Sequence, residues 1–470
     1  MKKVSLFLGL TAFILVFFSA SSCRKEKFDT DPSATLNFST DTVLFDTVFT
    51  KLGGGPNPRS VNKQFTVRNP HNKSIKTSIH LGMGNASPFR INVDGLAVSE
   101  IKDYEIRAND SMYIFVEVSV DPNNQSNPLI IQDSVVFETN GNIQDVKLVA
   151  WGQDAYYLKD SVLNGNIVWS DKTKPYVIYN SILINSGATL TIEQGVHVYN
   201  SVASHIYVNG SLQVNGSKDF PVIFEGARLG QEYTNTASQW YGIRLLPGSK
   251  NNVIHFAEIK NGIVGLEVDS LQTGGGYKLN ISNTKILNMS AGGLIGYTAW
   301  INAVNVLSAN CGQYTFLGEL GGKYNLTHCT FANYSNVFLH SKPSFGLSNA
   351  NYDDGNGTVL ANDLEATINS TIIWGSLKEE MVFFNGGNGK FEPTFFHSLL
   401  KTEIQANWTP DIKLNEDPKF IDYRELNFQL DTLSPAKDAG DAGLIPPVTD
   451  DLNGDPRDSK PDIGAFERKD

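Results

Sequence analysis

Four phrases decide the fold: Lys260-Asn261-Gly262, Leu287-Asn288-Met289, Ala309-Asn310-Cys311 and Ala332-Asn333-Tyr334. Their asparagines stand 27, 22 and 23 residues apart. Each follows an apolar run: Ile254 to Ile259, Ile281 to Leu287, Ala303 to Leu307 and Asn325 to Phe331. Asparagine tolerates the left-handed backbone region and bonds its own main chain, so it marks corners. A period in the low twenties fits three short strands and their corners, stacked turn upon turn.

Upstream, Ile182-Leu183-Ile184, Gly187 to Ile192, Ile206 to Gly210, Leu212 to Gly216 and Pro221 to Phe224 repeat the same phrase. Each is a short strand with Gly or Asn-Gly at its corner. Strands this short stack better in a winding than in an ordinary sandwich. The composition agrees. Of 470 residues, 41% are hydrophobic and only 19% charged, with 41 glycines. That is too apolar for a disordered chain and too poor in charge for long helices. The net charge of −11 and the lack of a basic run exclude nucleic acid as a partner.

From about Tyr156 to Asp470 the chain resembles the right-handed parallel β-helix (solenoid) proteins. An irregular antiparallel β domain is the alternative. The run from Asp417-Pro418-Lys419-Phe420 through Asp451-Leu452-Asn453-Gly454-Asp455-Pro456-Arg457 to Pro461-Asp462-Ile463-Gly464-Ala465-Phe466-Glu467 resembles the terminal motif of the choice-of-anchor families. From about residue 417 it is expected to cap the open edge of the last rung.

Residues 34–155 carry a different pattern. Gln64 to Val67 leads into Arg68-Asn69-Pro70. Met112 to Val120 alternates, and Asn140-Gly141 marks a hairpin. About seven short strands predict a β-sandwich. The segment Phe65 to Pro70, Ser87-Pro88-Phe89 with Ile91, Ala108 to Ser111 and Leu148 to Gly152 resembles the immunoglobulin-like ASPM/SPD-2/Hydin domains. The expected fold class is therefore all-β, an N-terminal immunoglobulin-like β-sandwich followed by a right-handed parallel β-helix.

Lys2 and Lys3, the apolar run Val4 to Phe18, and Ser19-Ala20-Ser21-Ser22 before Cys23 form a signal peptide over 1–22. The run is too short to span a bilayer as a helix. The small residues ending in Cys23 resemble a bacterial lipobox. The resemblance implies a lipid-bearing Cys23, a tether over 23–33 and stable anchoring through several acyl chains. The layout is similar to Bacteroidetes surface lipoproteins, which implies the outer membrane and its exterior face.

Chemistry-bearing residues are sparse. Cys311 and Cys329 read as buried thiols, with pairing as the alternative, and the eight histidines show no ligand spacing. Between Ile254 and Phe338 the acids are Glu258, Glu267, Asp269 and Glu319, too few for the catalytic groove of a β-helix enzyme. Asp353, Asp354, Asp363 and Glu365 read as an insertion loop, Asp451, Asn453 and Asp455 as a turn rather than a calcium loop, and Glu379-Glu380 as a solvated turn. No catalytic residue, metal or cofactor is expected. Trp240, Tyr241 and Trp300 are the candidate ligand-binding residues, on the ground that outward aromatics stack on sugar rings. Tyr314, Phe316, Tyr334, Phe338 and Trp374 belong to the same aromatic series. The function expected is a non-enzymatic binding or scaffold lipoprotein, with a glycan or the proteins of an outer-membrane assembly as partner. The alternatives are a polysaccharide lyase or hydrolase and an adhesin. Ten rungs would give a side wall near 50 Å, at about 4.8 Å per rung.

Overall fold

The computed structural model describes residues 28–50, 62–121, 129–271, 274–334, 339–350, 361–386, 388–406 and 408–469. The protein is all-β, with three short 3-10 turns the only helical pieces among the described residues. Packing divides the chain into two compact units, one running to Gln153 and the other beginning at Asp154.

In the first unit, alternation of apolar and polar residues builds two five-stranded sheets. One takes Asn37–Phe38, Lys63–Arg68, Ser111–Val118, Phe89–Val93 and Leu96–Val98 in that order, antiparallel throughout. The other takes Thr42–Phe49, Asn142–Gln153, Leu129–Thr139, Ile75–Leu81 and Glu100–Ile106, with its first pair parallel. Ile114, Val116 and Val118 from one sheet meet Val135, Phe137 and Leu148 from the other in a single core. Asn140 and Gly141, both at positive φ, turn the hairpin. Asn69 fixes the Arg68-Pro70 turn: its buried amide donates to the carbonyls of Lys73, Ile106 and Arg107.

The second unit is one sheet of parallel pairings in which each strand bonds to a strand roughly one repeat later. Three walls result. The first contains His205–Val208, Gly242–Leu245, Val264–Asp269, residues 292–297 and 316–319, Phe345–Ser348 and Met381–Phe384. The second runs through Thr189–Glu193, Ser211–Asn215, Asn252–His255, residues 279–282, 299–304 and 322–327, to Leu364–Asn369 and Phe391–Phe396. The third contains His197–Asn200, Val222–Gly226, Ala257–Lys260, residues 284–289 and 306–311, Thr330–Asn333, Ile372–Gly375 and Leu399–Leu400. Together with the Asn166–Trp169 pairing, the second wall has eight successive steps, so its length is about 38 Å at 4.8 Å per step. The third wall is longer: counted from Tyr156–Lys159 through Tyr176–Ile178 to Lys413–Leu414 it has ten steps and runs about 48 Å, close to the 50 Å expected.

Corners set the register. Phe256, Asn283, Asn305, His328, Ser370 and His397 all adopt positive φ between the second and third walls. Asn261, Asn288 and Asn310 do so where the third wall ends. The strand Gly292–Cys311 passes over all three walls because Thr298 and Asn305, both at positive φ, bend it twice. At the end of the third wall the asparagine side chains are buried and serve successive turns. Asn288 Nδ2 lies 3.5 Å from Asn261 Oδ1, and Asn333 donates to the Cys311 carbonyl at 2.8 Å. A second ladder stands outward on the second wall: Asn325 donates to Asn302 at 2.7 Å, and Asn302 to Asn280 at 3.2 Å. Gly242 shows how tightly turns approach. Its φ is 130°, and a Cβ there would lie 1.7 Å from the Val264 carbonyl oxygen.

Inside, alternate residues of every wall form one continuous core, from Ile178 and Ile206 through Phe316 and Phe331 to Phe345 and Leu400.

The C-terminal segment corrects the expectation of an end cap. Instead of closing the last rung it lies along the third wall. That wall is apolar outside as well as inside. Leu287, Leu307, Ala309 and Ala332 pack on Phe428, Leu452, Ala465 and Phe466, while Ile372, Trp374 and Leu399 pack on Leu430, Ala436 and Ile463. An uncovered apolar strip of that length would be exposed to water at about 25 cal/mol per Å². The corner residues grip the segment: Asn283 donates to the Asp451 carbonyl at 2.6 Å, Asn305 to that of Asp450 at 2.7 Å, and the Gly464 amide to the Ser370 carbonyl at 2.8 Å. Arg457 locks the arrangement. Its buried guanidinium reaches Glu467 at 3.0 Å and Asn305 Oδ1 at 2.9 Å.

Breaking a buried pair by removing one partner costs about 3–5 kcal/mol. Arg457→Met should therefore lower the stability of the second unit by that amount in urea unfolding. Lys460→Ala, at an exposed position of the same segment, should change it by less than about 0.5 kcal/mol.

Candidate functional site

The site follows from the outward parity of the first wall. In Phe316-Leu317-Gly318-Glu319 the inward residues are Phe316 and Gly318, so Leu317 and Glu319 face out. Register then builds two columns. One runs Glu267, Ile295, Leu317, Gly346 and Val382, the other Asp269, Tyr297 and Glu319. Ile295, Tyr297, Leu317, Glu319, Gly346 and Val382 of these columns, together with Tyr314, Lys342 and Phe384, line a groove of about 530 Å³. Its floor is aliphatic, and Val382 and Phe384 remain 37% exposed. Gly346 deepens it, since a Cβ there would come within 2.8 Å of Leu317 Cδ1.

Glu319 is the charged group of the groove floor. Burial alone pushes its carboxyl above the usual range, and among the described residues it has neither an ion-pair nor a hydrogen-bond partner. Burial also raises the neighbouring Tyr314 phenol, and raises Tyr297 to about 12, with Glu319 adding to both. The acids on the next rungs are engaged. Arg244 Nε lies 2.8 Å from Asp269 and 3.3 Å from Glu267. Lys278, fully buried, donates to the Pro247 carbonyl at 3.2 Å and also to that of Asp269. Desolvation lowers it to about 8.

The three sequence-derived aromatics separate. Trp240 is corrected: it is fully buried in the core, its indole N–H donating to the Lys260 carbonyl at 2.9 Å, so it offers no face to a ligand. Tyr241 is 43% exposed on the first wall and stacks on His205 with ring centroids 3.9 Å apart. Trp300 begins the second wall, with the Lys323 ammonium 5.7 Å from its ring, and does not join Tyr241. Phe316 and Trp374 are buried, and Tyr334 stacks on Tyr423 beneath the C-terminal segment. Cys23, Phe338, Asp353 and Asp354 lie outside the described residues.

Glu379-Glu380 is not a solvated turn. Glu380 is fully buried, accepts from the Ser344 and Leu377 amides, and lies 3.5 Å from His340. Asp451 binds the amides of Asn453, Asp455 and Glu467, which makes it the organiser of a turn. Among the described residues no group of three His, Cys, Asp or Glu side chains is placed to hold a metal ion.

Sequence reasoning missed Leu317, Val382 and Phe384 as surface residues. The available signal was parity: each is a large apolar residue at a position that alternation sends outward.

No family model matches the chain, and no curated protein matches it. Among solved structures it is similar to a family 123 glycoside hydrolase from Clostridium perfringens, at 5% identity and a TM-score of 0.19, over 28% of this chain and 31% of that one. A PapD-like domain of human CEP192 gives 8% identity and a TM-score of 0.18, over 28% and 94%. A Porphyromonas gingivalis protein of unknown function gives 12% and 0.18, over 28% and 60%. The chain thus spans under a third of the hydrolase's length. Similarity at this level carries no functional argument.

Two measurements test the site. Glu319 has a raised carboxyl pKa in the folded state, so its ionisation destabilises the fold as pH rises through that value. Glu319→Gln should raise the melting temperature at pH 8, and the gain should shrink as pH falls below the carboxylate range. An unchanged difference across pH would contradict the buried placement. Cys311 and Cys329 are both free, buried and pushed up to about 12 by desolvation. Both should resist iodoacetamide in the native protein and react fully in urea.

Proposed function

We propose that this protein is a lipid-anchored outer-membrane protein that binds a partner along the side wall of its second unit, without catalysing a reaction on it. In this reading the first unit is an immunoglobulin-like sandwich of the ASPM/SPD-2/Hydin type. The second is a right-handed parallel β-helix whose C-terminal segment is of the choice-of-anchor kind. The two five-stranded sheets around one core and the third-neighbour parallel pairings support these assignments. Cys23 carries the lipid, and the chain faces the cell exterior as in Bacteroidetes surface lipoproteins.

The observation that carries the binding role is the inequality of the three walls. The third is covered by the chain's own C-terminal segment. The second presents a polar ladder of asparagine side chains. The first presents, among the described residues, a groove with an aliphatic floor beside Tyr297, Tyr314 and Glu319. Hydrolysis of a glycan by paired carboxylates needs two such groups free to act. Here Arg244 occupies Glu267 and Asp269, which leaves Glu319 single and favours recognition over turnover. Tyr241 and its stack on His205 extend the same wall away from the groove. A scaffold role within a larger outer-membrane assembly is the form of binding that this arrangement fits.

The test is made on cells. Protease added to intact cells should degrade the protein, and Cys23→Ser should move it from the membrane to a soluble fraction. Full protection on intact cells, with digestion only after lysis, would rule out the exterior face.

A further inference from the structure

The groove has a pattern that narrows the partner's chemistry. Leu317 and Glu319 point the same way from one strand, two residues apart. At about 3.3–3.4 Å per residue that is about 6.7 Å. An extended polypeptide presents alternate side chains to one side at the same interval. A strand laid along the wall would therefore set residue i over Leu317 and residue i+2 over Glu319. The floor under residue i is Ile295, Leu317 and Val382, in a notch that Gly346 leaves open. Such a floor gives an aliphatic side chain a place to bury. The carboxylate under residue i+2 is half-buried and makes no ion pair among the described residues, although the exposed Lys342 also lines the groove, so an arriving cation meets an unpaired charge.

We infer that this groove receives an extended protein segment of the form aliphatic-x-basic, the aliphatic side chain on the Leu317 floor and the lysine or arginine head against Glu319. The inference rests on the binding-wall reading above and specifies the partner as a protein. The volume of about 530 Å³ suits a few side chains rather than a folded domain, so the segment is a loop or terminus of the partner.

The experiment uses the full chain in its native cells. The photo-cross-linker p-benzoylphenylalanine is placed at position 382 in the groove and, in a separate strain, at position 241 on the same wall. Cross-linked products are mapped by mass spectrometry. The expected product at 382 is one protein, joined within a few residues of an aliphatic-x-basic sequence. Its yield should fall at least tenfold with Glu319→Lys and more modestly with Glu319→Gln. Glu392→Lys, an exposed charge change on the second wall, should leave it unchanged. Melting curves of the purified variants verify that Glu319→Lys folds. If it does not, the Glu319→Gln yield decides. A mapped segment without a basic residue, a yield indifferent to Glu319, or glycan adducts alone would overturn the inference. Cross-links at 241 with none at 382 would overturn it while the binding wall stands. No cross-link at either position would remove both.

Discussion

The second unit depends on one constraint: every turn must bend at the same places. A parallel strand finds its partner on the next turn only if both corners bring it back in register. The left-handed residues Asn283, Asn305, His328, Ser370 and His397 supply that repetition between the second and third walls. An ordinary side chain pays for this conformation, and asparagine pays least among residues other than glycine. Once the corners repeat, the inward residues stack into one core and the outward residues fall into columns. The groove columns are a consequence of that stacking.

The same corners explain why the C-terminal segment lies where it does. With the backbone left-handed, the side chains of Asn283 and Asn305 project beside the third wall and offer donors to a passing main chain. Next to them the third wall is apolar outside. Hydrogen bonds to fix direction and a hydrophobic strip to cover are together enough to hold a segment with little regular structure of its own. Two of the three walls are thereby given over to the protein's own architecture or to polar display, and among the described residues the first sets an aliphatic floor beside the Glu319 carboxylate.

Much of this was legible beforehand. The asparagine spacing predicted stacked turns, and Asn261, Asn288 and Asn310 do stand at left-handed corners. The alternation in Met112 to Val120 predicted which side chains of that strand enter the core. Asn280, Asn302 and Asn325 went unnoticed because they lie within strands, where asparagine usually argues against strand. Trp240 was misjudged because a tryptophan's position along the chain says nothing of which side of a corner its ring takes. Glu380 was misread for the same reason: adjacent acids look solvated until a turn directs one of them inward.

The sequence by itself determined the all-β class, the corners at Asn261, Asn288 and Asn310 and the inward parity, because these depend on local backbone preference and on period; Asn333, expected at a fourth corner, instead ends a strand. Tertiary structure alone decided what faced what. Glu267, Asp269 and Glu319 are distant along the chain, and only the register of the stacked turns places the first two on Arg244 and leaves the third beside Leu317. The path of residues 417–469 along a wall instead of across an end was likewise a matter of packing. It follows the apolar outer face of the third wall, a surface that exists only once the turns have stacked.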